Sequence, residues 1–194
     1  MNQPLDTYFG PQSECIRIDF ETSPGWGGSY VDIEVEADPN TYIRVTWGDA
    51  PAKICQHYTQ SLQLTHSYPS YNQGGGIRFT LCLELQEGAH FIGLKTRERS
   101  VFLNTLRLDV SHCPHLRYLQ YQKIEELRLP KRCMLTALKL REYRGTHLDL
   151  SGARDLETFA CTYSGALQSI DLSHSTKLYT LGLLLGASPH DQAP

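Results

Sequence analysis

The residues with chemistry to offer are few and scattered. Asp49 and His66 form a carboxylate and imidazole pair of the kind that serves as acid and base when a nucleophile stands beside it. No well-placed Ser or Cys nucleophile and no second carboxylate accompanies them, so both read as residues that tie turns together. His112-Cys113-Pro114-His115 offers soft metal ligands, but a site needs three or four converging groups with closed geometry. That run lies in a turn between two leucine-rich elements and reads as one packed Cys and two exposed His. Gly74-Gly75-Gly76 precedes a strand and lacks the Lys and Ser/Thr of a phosphate-binding loop, so it reads as a hairpin tip. The six cysteines (Cys15, Cys55, Cys82, Cys113, Cys133, Cys161) show no CxxC or other metal spacing and read as buried free thiols. No catalytic residue, metal or cofactor is assigned from these signals.

Charge says more. Residues 1–94 carry 4 Lys and Arg against 11 Asp and Glu, whereas residues 95–194 carry 14 against 10. Within 95–144 the balance is 12 against 5, which reads first as a solvated stripe partly neutralised by Asp149, Glu125 and Glu126, and as the alternative a docking face for an acidic partner, the N-terminal half of a second copy included. Nucleic acid is a poor choice, because the pI is about 6.2 and aromatic residues are not interleaved with the basic ones. The start, Met1-Asn2-Gln3-Pro4-Leu5-Asp6, has no basic or apolar leader pattern, and no apolar stretch approaches the ~20 residues of a spanning helix.

The elements that must carry these residues are strands of two kinds. From about Leu103 to Leu185 the pattern LxxLxL and close variants recurs twice per coil. One series is centred on Leu106, Leu127, Leu148 and Ile170, and the other on Leu119, Leu138, Phe159 and Leu181. A coil of this length cannot bury its apolar edge alone, so coils stack and their inward residues form one ladder. Period two within each triplet predicts Leu106 and Leu108 facing in and Arg107 facing out. Arg107 and Arg128 then fall on equivalent positions of successive coils, about 4.8 Å apart. A second outward ladder runs through Arg117, Tyr118 and Gln120, then Lys139, then Glu157, then Tyr179. Tyr and Arg dominate many interfaces, which makes this ladder the expected partner-binding surface. Leu183-Leu184-Leu185 closes the last coil with no polar cap in sight, and 188–194 reads as a disordered tail.

Leu148-Asp-Leu-Ser151, Leu156-Glu-Thr-Phe159-Ala-Cys161 and Leu167-Gln-Ser-Ile170-Asp-Leu-Ser173 together resemble the short, cysteine-tolerant leucine-rich repeats of Bacteroidetes proteins. The likeness covers roughly residues 100–186. It departs in lacking the Asn that often follows the strand, and in two extra residues in the coil holding Asp109-Val110, which predict an irregular first coil. What the resemblance implies is a solenoid of about four coils, a binding role, and a cell-surface or secreted location; without it the chain reads as cytoplasmic.

Residues 1–94 alternate apolar with polar in Cys15–Phe20, Tyr30–Val35, Tyr42–Trp47, Ser61–His66 and Ile77–Leu85, separated by turn clusters. Such spacing predicts an antiparallel β-sandwich. Val45-Thr-Trp47-Gly48-Asp49 with Thr65-His66-Ser67-Tyr68 resembles the polycystin-type (PKD-like) sandwich, which implies that Trp47 is core while Asp49 and His66 are structural. The expectation is a mainly β protein: a sandwich over 1–94 and a leucine-rich repeat solenoid of parallel strands over 95–187. Its expected role is a non-catalytic interaction or adhesion module for a protein or glycan. Two alternatives are an assembly protein that self-associates through its open solenoid end and opposite half-charges, and a carbohydrate-active hydrolase.

Overall fold

The computed structural model describes residues 5–22, 29–68, 76–97 and 103–186. The expected turn at 24–28, the hairpin tip up to Gly75 and the tail from 188 lie outside them. The chain is mainly β. Alternating residues of the first half form β1 (Cys15–Thr22), β2 (Ser29–Ala37), β3 (Thr41–Thr46), β4 (Lys53–His57), β5 (Ser61–Tyr68), β6 (Arg78–Leu85) and β7 (Phe91–Thr96). The coils contribute β8 (Leu103–Asp109), β9 (Tyr118–Arg128), β10 (Ala137–Tyr143), β11 (His147–Asp149), β12 (Thr158–Thr162), β13 (Ser169–Asp171) and β14 (Thr180–Leu184). Strands β4 and β7, with less regular alternation, are the two that pattern alone does not pick out.

The antiparallel strands fall into two groups, β5-β2-β7 and β4-β3-β6-β1-β8. Both groups end on β9. Its residues Tyr118–Gln120 pair with β7, and Ile124–Arg128 pair with β8. Between them Lys123 takes φ of 56°, a left-handed corner that turns the chain from one group to the other. Glu142 and Tyr163 repeat the corner with φ of 56° and 55°, each directly after residues that pair in register, Arg141 and Thr162. Twelve of the strands are thus joined in one hydrogen-bonded sheet that branches at β9. The boundary expected at 94 falls inside β7 and does not interrupt it, because β7 lends its edge to the first coil. One apolar cluster runs through the described residues from Ile16 to Leu167.

Strands β9, β10, β12 and β14 stack in parallel, with Leu119, Leu138, Phe159 and Leu181 in register. This is the solenoid-like stacking that the repeat spacing predicts. The other series needs a correction. Leu108, not Leu106, pairs with Leu127, and Arg107 lies opposite Glu126 while Asp109 lies opposite Arg128. On its other side β8 carries a bulge: its pairing with β1 shifts between Arg107 opposite Asp19 and Thr105 opposite Phe20, which leaves Leu106 as the extra residue. Thr105, Leu108 and Val110 are therefore buried, and Leu106 is only half-buried. The repeating unit begins at Leu108-Asp109-Val110-Ser111. Asp109, Asp149 and Asp171 each accept the amide of the Ser two residues on, at 3.0, 2.9 and 2.9 Å, a turn that caps each strand in the same way.

Candidate functional site

The register divides the expected partner-binding residues between two surfaces. Arg107 and Arg128 do not form a like-charged pair on the outer wall. Arg107 Nε lies 3.7 Å from Asp19 and 3.4 Å from Glu126, and Arg128 Nε lies 2.5 Å from the other Glu126 oxygen. Arg107 thus faces carboxylates of both neighbouring strands, while Arg128 is paired with Glu126 on its own strand and lies 4.0 Å from Asp109 across the strand pair. Burial alone raises the Asp109 carboxyl, but the Ser111 hydroxyl and amide and the Arg128 charge outweigh it and hold it below the usual range.

The other surface is a wall formed by β7, β9, β10, β12 and β14. Tyr118, Ala137, Thr158 and Thr180 make one row, and Gln120, Lys139, Ala160 and Gly182 make the next. Strand β7 extends the rows by Gly93 and Lys95, a continuation that the repeats do not announce. Tyr118 donates its hydroxyl to Gln120 Oε1 at 2.5 Å, and partial burial followed by the charges of Glu36 and Glu34 pushes its ionisation up. Gln120, Gln122, Lys139, Arg141, Ala160 and Thr162 line a shallow depression in this wall. Arg141 lies 5.3 Å from the ring centre of Tyr163. Arg117 and Glu157 sit at the rim, one residue before their strands, where their carbonyls accept amides of the next coil. Tyr179, the equivalent residue of the last coil, is 75% exposed.

Asp49 and His66 do come together. His66 Nε2 lies 2.9 Å from both Asp49 carboxylate oxygens, and its ring stacks on Trp47 at 4.6 Å. Trp47 is buried, and its carbonyl accepts the Tyr68 hydroxyl at 2.8 Å. Gly48 takes φ of 90°, and a side chain there would meet the Thr80 carbonyl at 2.9 Å, so only glycine fits this turn.

A third cluster escapes sequence reading. Glu14, buried just before β1, receives His90 Nδ1 at 3.0 Å and His115 Nδ1 at 2.8 Å on the same oxygen, Oε1. Its other oxygen accepts the Phe91 amide at 2.8 Å. The two imidazole rings lie 3.6 Å apart, centre to centre. His112, which sequence pairs with His115, is exposed, and Cys113 is buried with its thiol donated to the Cys15 carbonyl. Of the run His112-Cys113-Pro114-His115, then, one His is engaged. No local pattern betrays this group, because its members lie 76 and 101 positions apart and only the closure of β1, β7 and the first coil gathers them.

The thiols Cys15 and Cys82 lie 3.1 Å apart. No described helix is long and apolar enough to cross a membrane. No protein-family model matches the chain, and neither the curated proteins nor the solved structures contain a match.

Proposed function

We propose that this chain is a non-catalytic protein-interaction module whose recognition surface is the parallel wall over β7, β9, β10, β12 and β14. The observation that carries this reading is the register of Tyr118, Gln120 and Lys139 on one flat, hydrogen-bonded face with Arg141 beside them. Side chains fixed on paired strands lose little freedom on binding, so a modest contact area is used efficiently. Cationic Lys139, Arg141 and Arg117 favour an acidic protein partner or an acidic glycan, and exposed Tyr179 supplies an apolar anchor at the rim. The expectation is that Lys139→Ala with Tyr179→Ala strips the partners that the wild-type chain retains on a column. Retention of the same partners by the double variant would end this reading.

The coils are read here as leucine-rich repeats and the first half as a PKD-like sandwich. Support for the latter is the Trp47-Gly48-Asp49 turn with His66 stacked and hydrogen-bonded across it and Tyr68 tied back to Trp47. A cell-surface or secreted location would follow from those resemblances.

One observation favours a second reading, self-association through the last coil. Leu181, Leu183, Leu184 and Leu185 are 52, 45, 49 and 46% exposed, and among the described strands β14 is paired with β12 alone. An apolar edge strand of this kind invites pairing with another chain. Light scattering should give more than one chain per particle for the wild type and a monomer for Leu181→Lys with Leu183→Lys; a wild-type monomer at low and high salt rules it out.

A further inference from the structure

We propose that Glu14, His90 and His115 form a binding site for one divalent transition-metal ion of the zinc type. Two imidazole nitrogens and one carboxylate oxygen are a donor set that borderline ions such as Zn²⁺, Co²⁺ and Ni²⁺ prefer, whereas Mg²⁺ and Ca²⁺ favour oxygen alone. Both Nδ1 atoms converge on Glu14 Oε1, at 3.0 and 2.8 Å, and all three donor atoms lie within 4.8 Å of one another. Zinc bonds of about 2.0–2.2 Å in a tetrahedron set neighbouring donors roughly 3.3 Å apart. The two Glu14–His separations need to open by only a few tenths of an ångström to admit the ion, while the imidazole rings, 3.6 Å apart centre to centre, swing apart as each turns its Nδ1 lone pair to the metal.

The donors are held in place by their own partners, as metal ligands are. The Glu14 carboxylate is anchored through Oε2 to the Phe91 amide at 2.8 Å, and its backbone carbonyl takes the Leu85 amide at 2.9 Å. The His90 amide donates to Asp38 Oδ2 at 2.9 Å, and its carbonyl accepts the Asp38 amide at 3.1 Å. His115 lies in a turn closed by the Leu116 amide on the Cys113 carbonyl at 3.2 Å. The arrangement is also reachable. Glu14 is buried, but the two His side chains are 41 and 42% exposed, which leaves the outer side of the ion open to water or a fourth ligand. Without metal, each Nδ1–H donates to the shared oxygen; on binding, each imidazole presents its Nδ1 lone pair and carries its proton on Nε2. The ion ties the segment before β1, the start of β7 and the turn of the first coil together, which is the seam between the antiparallel strands and the coils.

The test is titration of the full, reduced chain with Co²⁺ and Zn²⁺ in a non-coordinating buffer, followed by calorimetry and by visible absorption of the Co²⁺ form. One equivalent per chain is expected, with Co²⁺ bands in the visible and no strong thiolate charge-transfer band in the near ultraviolet. His90→Ala and His115→Ala should each weaken binding at least tenfold, on the scale of a lost ligand contact, while His112→Ala leaves it unchanged. Failure of the folded chain to take up either ion, equal uptake by both alanine variants, or a thiolate band that transfers the ion to the cysteines would each overturn the site. Far-ultraviolet dichroism checks that the variants fold. If His115→Ala does not, the wild-type Co²⁺ spectrum and His90→Ala decide.

Discussion

The first and last coils share one inward pattern and end in opposite states. Leu119 of β9 is fully buried, whereas Leu181 of β14, its counterpart three strands along, is 52% exposed. The residues are the same; the neighbours are not. Strand β9 lies between β10 and the strands of the first half, and a carboxylate shared by two imidazoles fastens the seam. Among the described strands, β14 has β12 as its one neighbour. A stacked repeat stabilises its neighbour as much as itself, so a coil at the closed end is core and the same coil at the open end is surface.

The sharpest way to break this comparison is to truncate equivalent inward residues. Phe159→Ala should cost about 3–5 kcal/mol, as large-to-small changes in a filled core do. Leu181→Ala should cost under about 1 kcal/mol, since only part of its surface leaves water. Denaturant midpoints measure both, and similar losses would mean that something covers β14. Next in size is the seam itself. Glu14→Ala removes the acceptor for the Phe91 amide and both imidazoles in a buried setting, and should lower stability by about 1–3 kcal/mol. Asp155→Ala, which breaks an exposed pair with Lys177 near the open end, should leave the same midpoint unchanged within error.

Acid separates the two regions by window. Burial lowers the ionisation of His57, at the end of β4, below its ordinary value, so the unfolded chain binds the proton more readily. The stability this contributes is present above about pH 6.5 and is lost as pH falls towards the depressed folded value. Asp109 in the coils is also depressed, but its contribution is held down to about pH 4 and lost only below that. Unfolding free energy followed against pH should lose its slope just below neutrality in His57→Gln and keep it in Asp109→Asn. The smallest effect belongs to the corners. Lys123→Gly relieves a left-handed residue and should stabilise by no more than about 1 kcal/mol, while Lys123→Val at the same place should destabilise; thermal midpoints compare the two.

Much of the wall was readable, because each inward position of β9, β10 and β12 repeats the type of the one before it. The misplacement at β8 shows where that kind of reading stops. Leu106-Arg107-Leu108 satisfies the leucine pattern, and the true unit is marked instead by Asp109-Val110-Ser111, whose Asp-to-Ser turn matches Asp149-Leu150-Ser151 and Asp171-Leu172-Ser173. A bulge follows from packing against β1, which lies far away in sequence. The pairing of Asp49 with His66 was legible because both flank recognisable strand ends. Glu14 and His90 were not, since neither sits in any local pattern.

Residue patterns alone establish that this protein is mainly β, that its second half stacks parallel strands at a repeat of about twenty residues, and which side chains of β9, β10 and β12 face inward. They can do so because strand alternation and repeat spacing are local properties, written every second residue and every coil. Long-range docking set the rest: the two halves meet on β9, Arg107 and Arg128 lie opposite Glu126 and Asp109 across the β8–β9 pair, and Glu14 meets His90 and His115. Those outcomes depend on contacts between segments as many as 101 positions apart, where the partner of each residue is set by how whole strands dock and not by the residues beside it.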